Sequence, residues 1–239
     1  MDEEPLFVLS AFQIRGVRQA YRRGRTHVPL SLDLGLGHAR VELTEAGIIL
    51  PNGWLLSWED VGRIEKRHRV CFRLTEHGAE KIQAFSEEFG RAYSLMPTEG
   101  APTLLISGIP MHRIKETDPM EDTRRKIAAA KPRGRVLDTA TGLGYTAILA
   151  ARQADHVTTI ELDPTVLAIA RQNPWSRELF SAANIERRLG DAAEVVLTLP
   201  DASFDCVIHD PPMFALAGHL YAAEFYRRLR QLLRPGGRL

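Results

Sequence analysis

The 239 residues contain only two cysteines, and Cys71 and Cys206 stand far apart without the spacing of a metal site. That excludes a disulfide framework, gives no reason to expect a metal, and fits a reducing compartment. An excess of charge of one sign is also missing. Lys+Arg 31 against Asp+Glu 30 leaves a formal +1, so no global field marks a binder of nucleic acid or of membrane, and any such contact must be local. No apolar run approaches the ~18 residues of a membrane span. The start, MDEEPLFVLS, is acidic where a secretory signal would be basic. These absences predict a soluble cytoplasmic protein with no membrane partner. What is present is a hydrophobic share of 44%, enough to give one large domain or two modest ones a core.

Two textures divide the chain. Residues 28 to 107 carry short apolar or alternating runs, VPLSLDL, ARVELT, GIILP, WLLSW, VCFRLT and PTLLIS, parted by turn formers such as Pro51-Asn52-Gly53. They predict a small, mostly β domain over 1–108. Before them, Phe7, Ile14, Val17 and Tyr21 have helical spacing over 7–23 and lead into Arg15, Arg18, Arg22, Arg23 and Arg25. That cluster is either a solvated face or a phosphate grip. From 109 onward strands alternate with helices. RVLD, HVTTIEL, IERRLG and FDCVIHD read as strands, and YTAILAARQA, PTVLAIARQN and AAEFYRRLRQLL as helices, with Arg234-Pro235-Gly236-Gly237 turning into a fifth strand. The expected fold is α/β: a doubly wound, mainly parallel sheet over 109–239 with a small β domain before it. In such sheets ligands sit beyond the carboxyl ends of the strands.

The strand ends carry the chemistry. The first ends in Asp138-Thr139-Ala140-Thr141-Gly142-Leu143-Gly144, where glycines let the backbone turn sharply and approach a ligand. The second ends in Glu161, placed to accept from a ribose diol. The third ends in Gly190-Asp191-Ala192, where a carboxylate can accept from an exocyclic amine. Any one of these is a common turn; three acids at three successive strand ends form a pattern. The competing dinucleotide fingerprint, Gly142-x-Gly144-x-x-Ala147 with Glu161, leaves the later strand ends without a task.

This ordered set resembles the class I S-adenosylmethionine-dependent methyltransferases, within them an archaeal-type group with a small N-terminal domain. The first motif is matched by DTATGLG, with Ala140 in the first glycine position. The resemblance implies that Gly142 and Gly144 line the methionine part of S-adenosyl-L-methionine, with Asp138 and Ala140 also in the cofactor-binding motif. It also implies that Glu161 binds the ribose hydroxyls, and that Asp191 with the Ala192 amide reads the adenine. The class normally continues past a fifth strand, so a sequence stopping at Leu239 is expected to be C-terminally incomplete.

The fourth strand end, HDPPMF, is where an acceptor would be aimed. Pro211 and Pro212 lack N–H groups and fix φ, which ends a strand ladder and leaves carbonyls to accept hydrogen bonds. Asp210 can accept from a target N–H, and Phe214 can stack on a planar acceptor or lie in the core under the next helix. Asp-Pro-Pro loops of this kind resemble those of enzymes that methylate nitrogen on planar groups, including bases of ribosomal RNA. The expected activity is therefore N-methylation of a planar acceptor, RNA before a protein or small molecule. Aminopropyl transfer to a polyamine and an inactive cofactor-binding module are the alternatives. Cys206, inside an apolar strand, is expected to be core and not a nucleophile, and His209 is a secondary proton acceptor. His112, Thr117 and Asp118 lie in a segment, 111–127, that either closes over the cofactor or forms an amphipathic surface helix.

Overall fold

A computed structural model describes residues 5–239; the acidic residues 1–4, part of the stretch compared with a secretory signal, lie outside the described residues. The chain forms two compact units, Met1–Pro119 with Gln172–Trp175, and Met120–Arg171 with Ser176–Leu239.

The first unit is built from short antiparallel strands: β1 Val8–Leu9, β2 His27–Leu30, β3 Ala39–Leu43, β4 Gly47–Ile49, β5 Leu55–Ser57, β6 Phe72–Thr75, β7 Gly78–Lys81, β8 Gln83–Ser86, β9 Arg91–Met96, β10 Thr103–Ile106 and β11 Ile109–Pro110. They pair as β1-β6-β7, β2-β3-β4-β5 and β11-β10-β9-β8. Helices α1 Val17–Arg22 and α2 Trp58–Glu65 pack with them over a core that includes Leu9, Ile14, Leu30, Ile48, Ile64 and Phe72.

The helical spacing over 7–23 is realised only in α1. Val8 and Leu9 are both fully buried and pair with Arg73 and Phe72, which suits a strand better than a one-faced helix; Gly16 at φ 81 then starts the helix. The spacing missed α2 altogether. Its start is written in Ser57-x-x-Asp60: the Ser57 hydroxyl accepts from the Asp60 amide at 3.1 Å, half of a capping box.

The second unit alternates strand and helix: α3 Pro119–Ala130, β12 Arg135–Asp138, α4 Tyr145–Ala151, β13 His156–Glu161, α5 Pro164–Arg171, α6 Arg177–Ser181, β14 Ile185–Leu189, α7 Ala192–Thr198, β15 Phe204–Ile208, α8 Phe214–Ala217, α9 Ala223–Leu232 and β16 Leu233–Arg238. All five strands run parallel in the order β14-β13-β12-β15-β16. This is the α/β doubly wound, Rossmann-like fold. The chain moves outward from β12 through β13 to β14, then returns to the far side as β15, so the switch point lies between β12 and β15. One face is sealed by Val196, Leu220, Phe225, Leu229 and Leu232 against Leu137, Phe204 and Val207.

Pro235-Gly236-Gly237, read as a turn before the fifth strand, lies inside β16 instead. The register against β15 shifts between Phe204 and Cys206. Among the described residues β16 is an edge strand, the place where a proline without an N–H and a ladder irregularity cost least.

Candidate functional site

The floor of the site is the loop after β12. Gly142 and Gly144 hold φ of 53° and 79°, values that favour glycine. The loop is tied to strands on both sides, the Thr139 amide donating to Ile208 O at 3.1 Å and the Thr141 amide to Ile160 O at 2.8 Å. A Cβ on Gly144 would stand 2.6 Å from Leu179 Cδ2. Gly144→Ala is therefore expected to cost about 2 kcal/mol or more, from left-handed strain plus overpacking, read as a lower melting temperature in the absence of cofactor. Ala140 is not among the residues with positive φ, so the first motif position tolerates a side chain without strain.

Two carboxylates lie beneath and beside this loop. Asp138 is 1% exposed; it accepts from the Thr159 hydroxyl at 2.8 Å, and Thr159 is in turn bonded to Thr141 at 2.7 Å. Burial pushes its pKa up to about 7, against the bonds from Thr159 and the Ala140 amide, with the charges of Asp210 and Glu161 adding to the rise. Glu161 accepts from the Gly142 amide at 2.8 Å and from the Asp163 amide at 3.1 Å, one on each oxygen. Burial raises it too, to about 7, although these amides favour the ionised form. The Leu162 amide also favours the ionised form; a carboxylate offers about four acceptor directions, so one is left for a diol hydroxyl.

Asp191 begins α7, accepting from the Ala193 amide at 2.8 Å, and its carboxylate also meets His219 Nε2 at 3.1 Å. Beside it, Arg188, Leu189, Gly190, Asp191, Val195 and Thr198 are among the residues lining an open hollow of about 470 Å³. Ala192 is buried in the first turn of the helix. Acids at the ends of β12, β13 and β14 thus stand in a row with a glycine turn at one end and a hollow at the other. The residues fit a nucleoside-bearing cofactor such as S-adenosylmethionine, whose ribose Glu161 would hold and whose base Asp191 would meet.

The loop after β15 faces the switch point. Asp210 is half exposed; its Oδ2 accepts from Lys126 Nζ at 2.6 Å, and its Oδ1 has no partner among the described residues. Pro212 O, expected to be open to an acceptor, already accepts from the Tyr221 hydroxyl at 2.9 Å. Pro211 and Pro212 are partly exposed. Phe214 is 70% exposed, so it is not core under the next helix, and its ring lies 5.6 Å from that of Tyr221. His209 is spoken for on both nitrogens. Its Nε2 donates to Leu220 O at 3.1 Å, which leaves Nδ1 to accept from the Thr139 hydroxyl at 2.7 Å. Burial lowers its pKa, and the ring is wedged against Phe225 and Tyr226. It braces the loop and has no lone pair left for substrate. Cys206 is buried and its thiol pKa is pushed up by burial, the opposite of what activates a nucleophile.

His112, Thr117 and Asp118 of the 111–127 segment belong to the first unit. His112 contacts the Thr103 hydroxyl at 2.9 Å, and Thr117 and Asp118 line a hollow with Glu99 and Glu116. From Pro119 onward the segment is part of α3, which supplies Lys126. Of the arginine cluster, Arg18 is committed internally, donating to Trp58 O at 2.6 Å and pairing with Glu65 at 3.4 Å, whereas Arg15, Arg22, Arg23 and Arg25 are exposed. Lys126 and Tyr221 were not singled out from sequence. The i,i+4 pair Asp122/Lys126 was the available signal for the first; nothing local marked the second.

Residues 136–237 match the model of the family described as methyltransferase domain. An uncharacterized protein of Methanocaldococcus jannaschii is 54% identical over 149 residues, 62% of this chain and 51% of that protein. A polyamine aminopropyltransferase of Aeropyrum pernix is 31% identical over 107 residues, 43% and 34% of the two chains. A demethylmenaquinone methyltransferase of Thermus thermophilus is 33% identical over 118 residues, 47% and 48%. The chain thus spans about half or less of the length of these relatives. In fold it is similar to a spermidine synthase solved with the transition-state analogue AdoDATO, at a TM-score of 0.55 and 21% identity over 64% of this chain and 54% of that one. The fold and the row of strand-end acids are those a nucleoside-bearing cofactor would need. Residues 136–237 match the methyltransferase-domain family, and this match with the methyltransferase relatives supports a class I S-adenosylmethionine-dependent methyltransferase domain that takes S-adenosyl-L-methionine.

Proposed function

We propose that the protein methylates a nitrogen atom of a planar acceptor, an RNA base first among them, and that the Asp210-Pro211-Pro212 loop orients that acceptor. The observation that carries this reading is the half-exposed Asp210 at the switch point, with Oδ1 open and the exposed Phe214 ring four residues on at the start of α8. Bound S-adenosylmethionine supplies an electrophilic methyl group on a sulfonium. Asp210 Oδ1 accepts an N–H of the acceptor and so turns the nitrogen lone pair along the line of displacement. Phe214 and Tyr221 offer faces on which a planar group stacks. The cofactor's sulfur would take up the electron pair of the C–S bond as the N–C bond forms, and Asp210 or water would take the proton that the nitrogen sheds. The exposed Arg15, Arg22, Arg23 and Arg25 suit contact with phosphates. A cytoplasmic place of action is consistent with two buried free thiols and with the absence, among the described residues, of a helix long and apolar enough to cross a membrane.

The test is uptake of labelled methyl from S-adenosylmethionine into total RNA, total protein and small molecules. Label in RNA that falls steeply with salt is the expected result; label confined to protein or small molecules moves the acceptor to that class. A second reading, aminopropyl transfer to a polyamine, is favoured by the 31% identity to a polyamine aminopropyltransferase. Incubation with decarboxylated S-adenosylmethionine and putrescine separates the two, since only that reading yields spermidine.

A further inference from the structure

The strand-end motifs leave one charged group unexplained. Lys126 sits on α3 and reaches across to the loop after β15, 84 residues away in sequence. Its ammonium donates to Asp122 Oδ2 at 2.8 Å and to Asp210 Oδ2 at 2.6 Å. Asp122 precedes it by four residues on the same helix face, the favourable order for such a pair, and is largely shielded, its side chain 16% exposed against 51% for Asp210. The lysine is thus anchored at its own helix and offered to the loop. Burial works to lower its pKa, but the bonds to Asp122 and Asp210 outweigh this and hold it above the ordinary value; it stays an ammonium across the working pH range.

We propose that Lys126 is a positioning residue of the transfer site, an anchored ammonium that fixes one oxygen of Asp210 so that the other is presented to the acceptor. The inference rests on the role given to Asp210 above. A carboxylate on a proline-bounded loop rotates freely about χ1 and χ2 unless something holds it. Here Oδ2 is held and Oδ1 is left open, the division of labour an orienting carboxylate needs. Charge matters as well: Asp122 and Asp210 flank one ammonium, so Asp210 is not a lone anion.

The experiment uses Lys126→Met, Lys126→Arg and Asp210→Asn, singly and combined, in the full chain. Amide hydrogen exchange of peptides covering 207–221 should speed up at least fivefold in Lys126→Met, with peptides covering 135–161 and the affinity for S-adenosylhomocysteine unchanged within twofold. In the labelled-methyl assay Lys126→Met should lower kcat 10- to 100-fold with the KM for S-adenosylmethionine unchanged. Lys126→Arg should recover a large part of the loss, and Lys126→Met should cost nothing further in the Asp210→Asn background. Unchanged exchange in 207–221, or losses that multiply in the double variant, overturns the proposal. If the wild-type chain labels no fraction, the acceptor reading fails by itself, and the exchange data still decide whether Lys126 holds the loop.

Discussion

Glu161→Ala is expected to weaken S-adenosylhomocysteine binding about a hundredfold, measured by calorimetry near pH 8. Two effects combine. The carboxylate is the group placed to accept from the ribose hydroxyls, and it also holds the Gly142 amide at 2.8 Å and the Asp163 amide at 3.1 Å, so its loss frees the glycine turn as well. Hydrogen bonds to a charged group contribute about 1.5–3 kcal/mol each, and one or two of them are enough for roughly two orders of magnitude. Glu161→Gln separates charge from shape: it keeps an oxygen for one amide but is expected to lose most of the affinity at high pH.

The pH dependence of that binding follows from the same burial. In the cofactor-free protein Glu161 is raised from 4.5 to about 7 and Asp138 from 3.8 to about 7. Between about pH 4 and pH 7 the native state therefore holds protons that the unfolded chain has already released. Stability then falls as pH rises through this window, and the loss is complete above about 7. This is the reverse of a salt-bridged carboxylate, whose contribution is lost on acidification. A bound diol donates to the ionised form of Glu161, so cofactor affinity should tighten as pH rises from 6 to 8 while the melting temperature without cofactor declines. Glu161→Gln should flatten the first curve and make the second shallower, leaving the part due to Asp138. An affinity in the wild-type protein that does not change between pH 6 and 8 would remove Glu161 from the ribose site.

The strand-end acids were legible in the sequence because their positions follow from topology. A run such as HVTTIE can only be a buried parallel strand, and whatever follows it lies at the carboxyl edge of the sheet; Glu161 and Asp191 needed no more than that. The loop after β15 was legible only in part. Asp-Pro-Pro announced the end of a strand, but the partners of its polar atoms come from elsewhere: Lys126 from 84 residues upstream, Tyr221 from the turn after α8, and Thr139 from the loop after β12 onto His209. Such contacts depend on how crossovers lay helices against the sheet, and no local period encodes them. The same limit explains Val8–Leu9, whose strand state is decided by pairing with β6 more than sixty residues later. Ser57-x-x-Asp60 is different, since the start of α2 is written locally but only the apolar run WLLSW was read there.

Asp210→Ala is expected to lower methyl transfer about a thousandfold while S-adenosylhomocysteine still binds within twofold of the wild-type affinity. A positioned acid or base contributes about 10²- to 10⁴-fold, and orientation of the lone pair is lost along with it. Cofactor affinity should hold because, among the described residues, the Asp210 carboxylate bonds to Lys126 and not to the glycine turn, Glu161 or Asp191. Asp210→Asn should be milder, since a carbonyl oxygen can still accept an N–H, but the amide has lost the charge that pairs with Lys126. A second readout is independent of any acceptor. The negative charge of Asp210 is one cause of the raised pKa of Asp138, so removing it should make the decline of stability between pH 4 and 7 shallower. Transfer that survives Asp210→Ala at more than a tenth of the wild-type rate would mean that another group aims the acceptor, and would leave the two prolines as no more than the stop at the end of β15. Loss of transfer together with loss of cofactor binding would instead make Asp210 part of the cofactor site, and Lys126 with it.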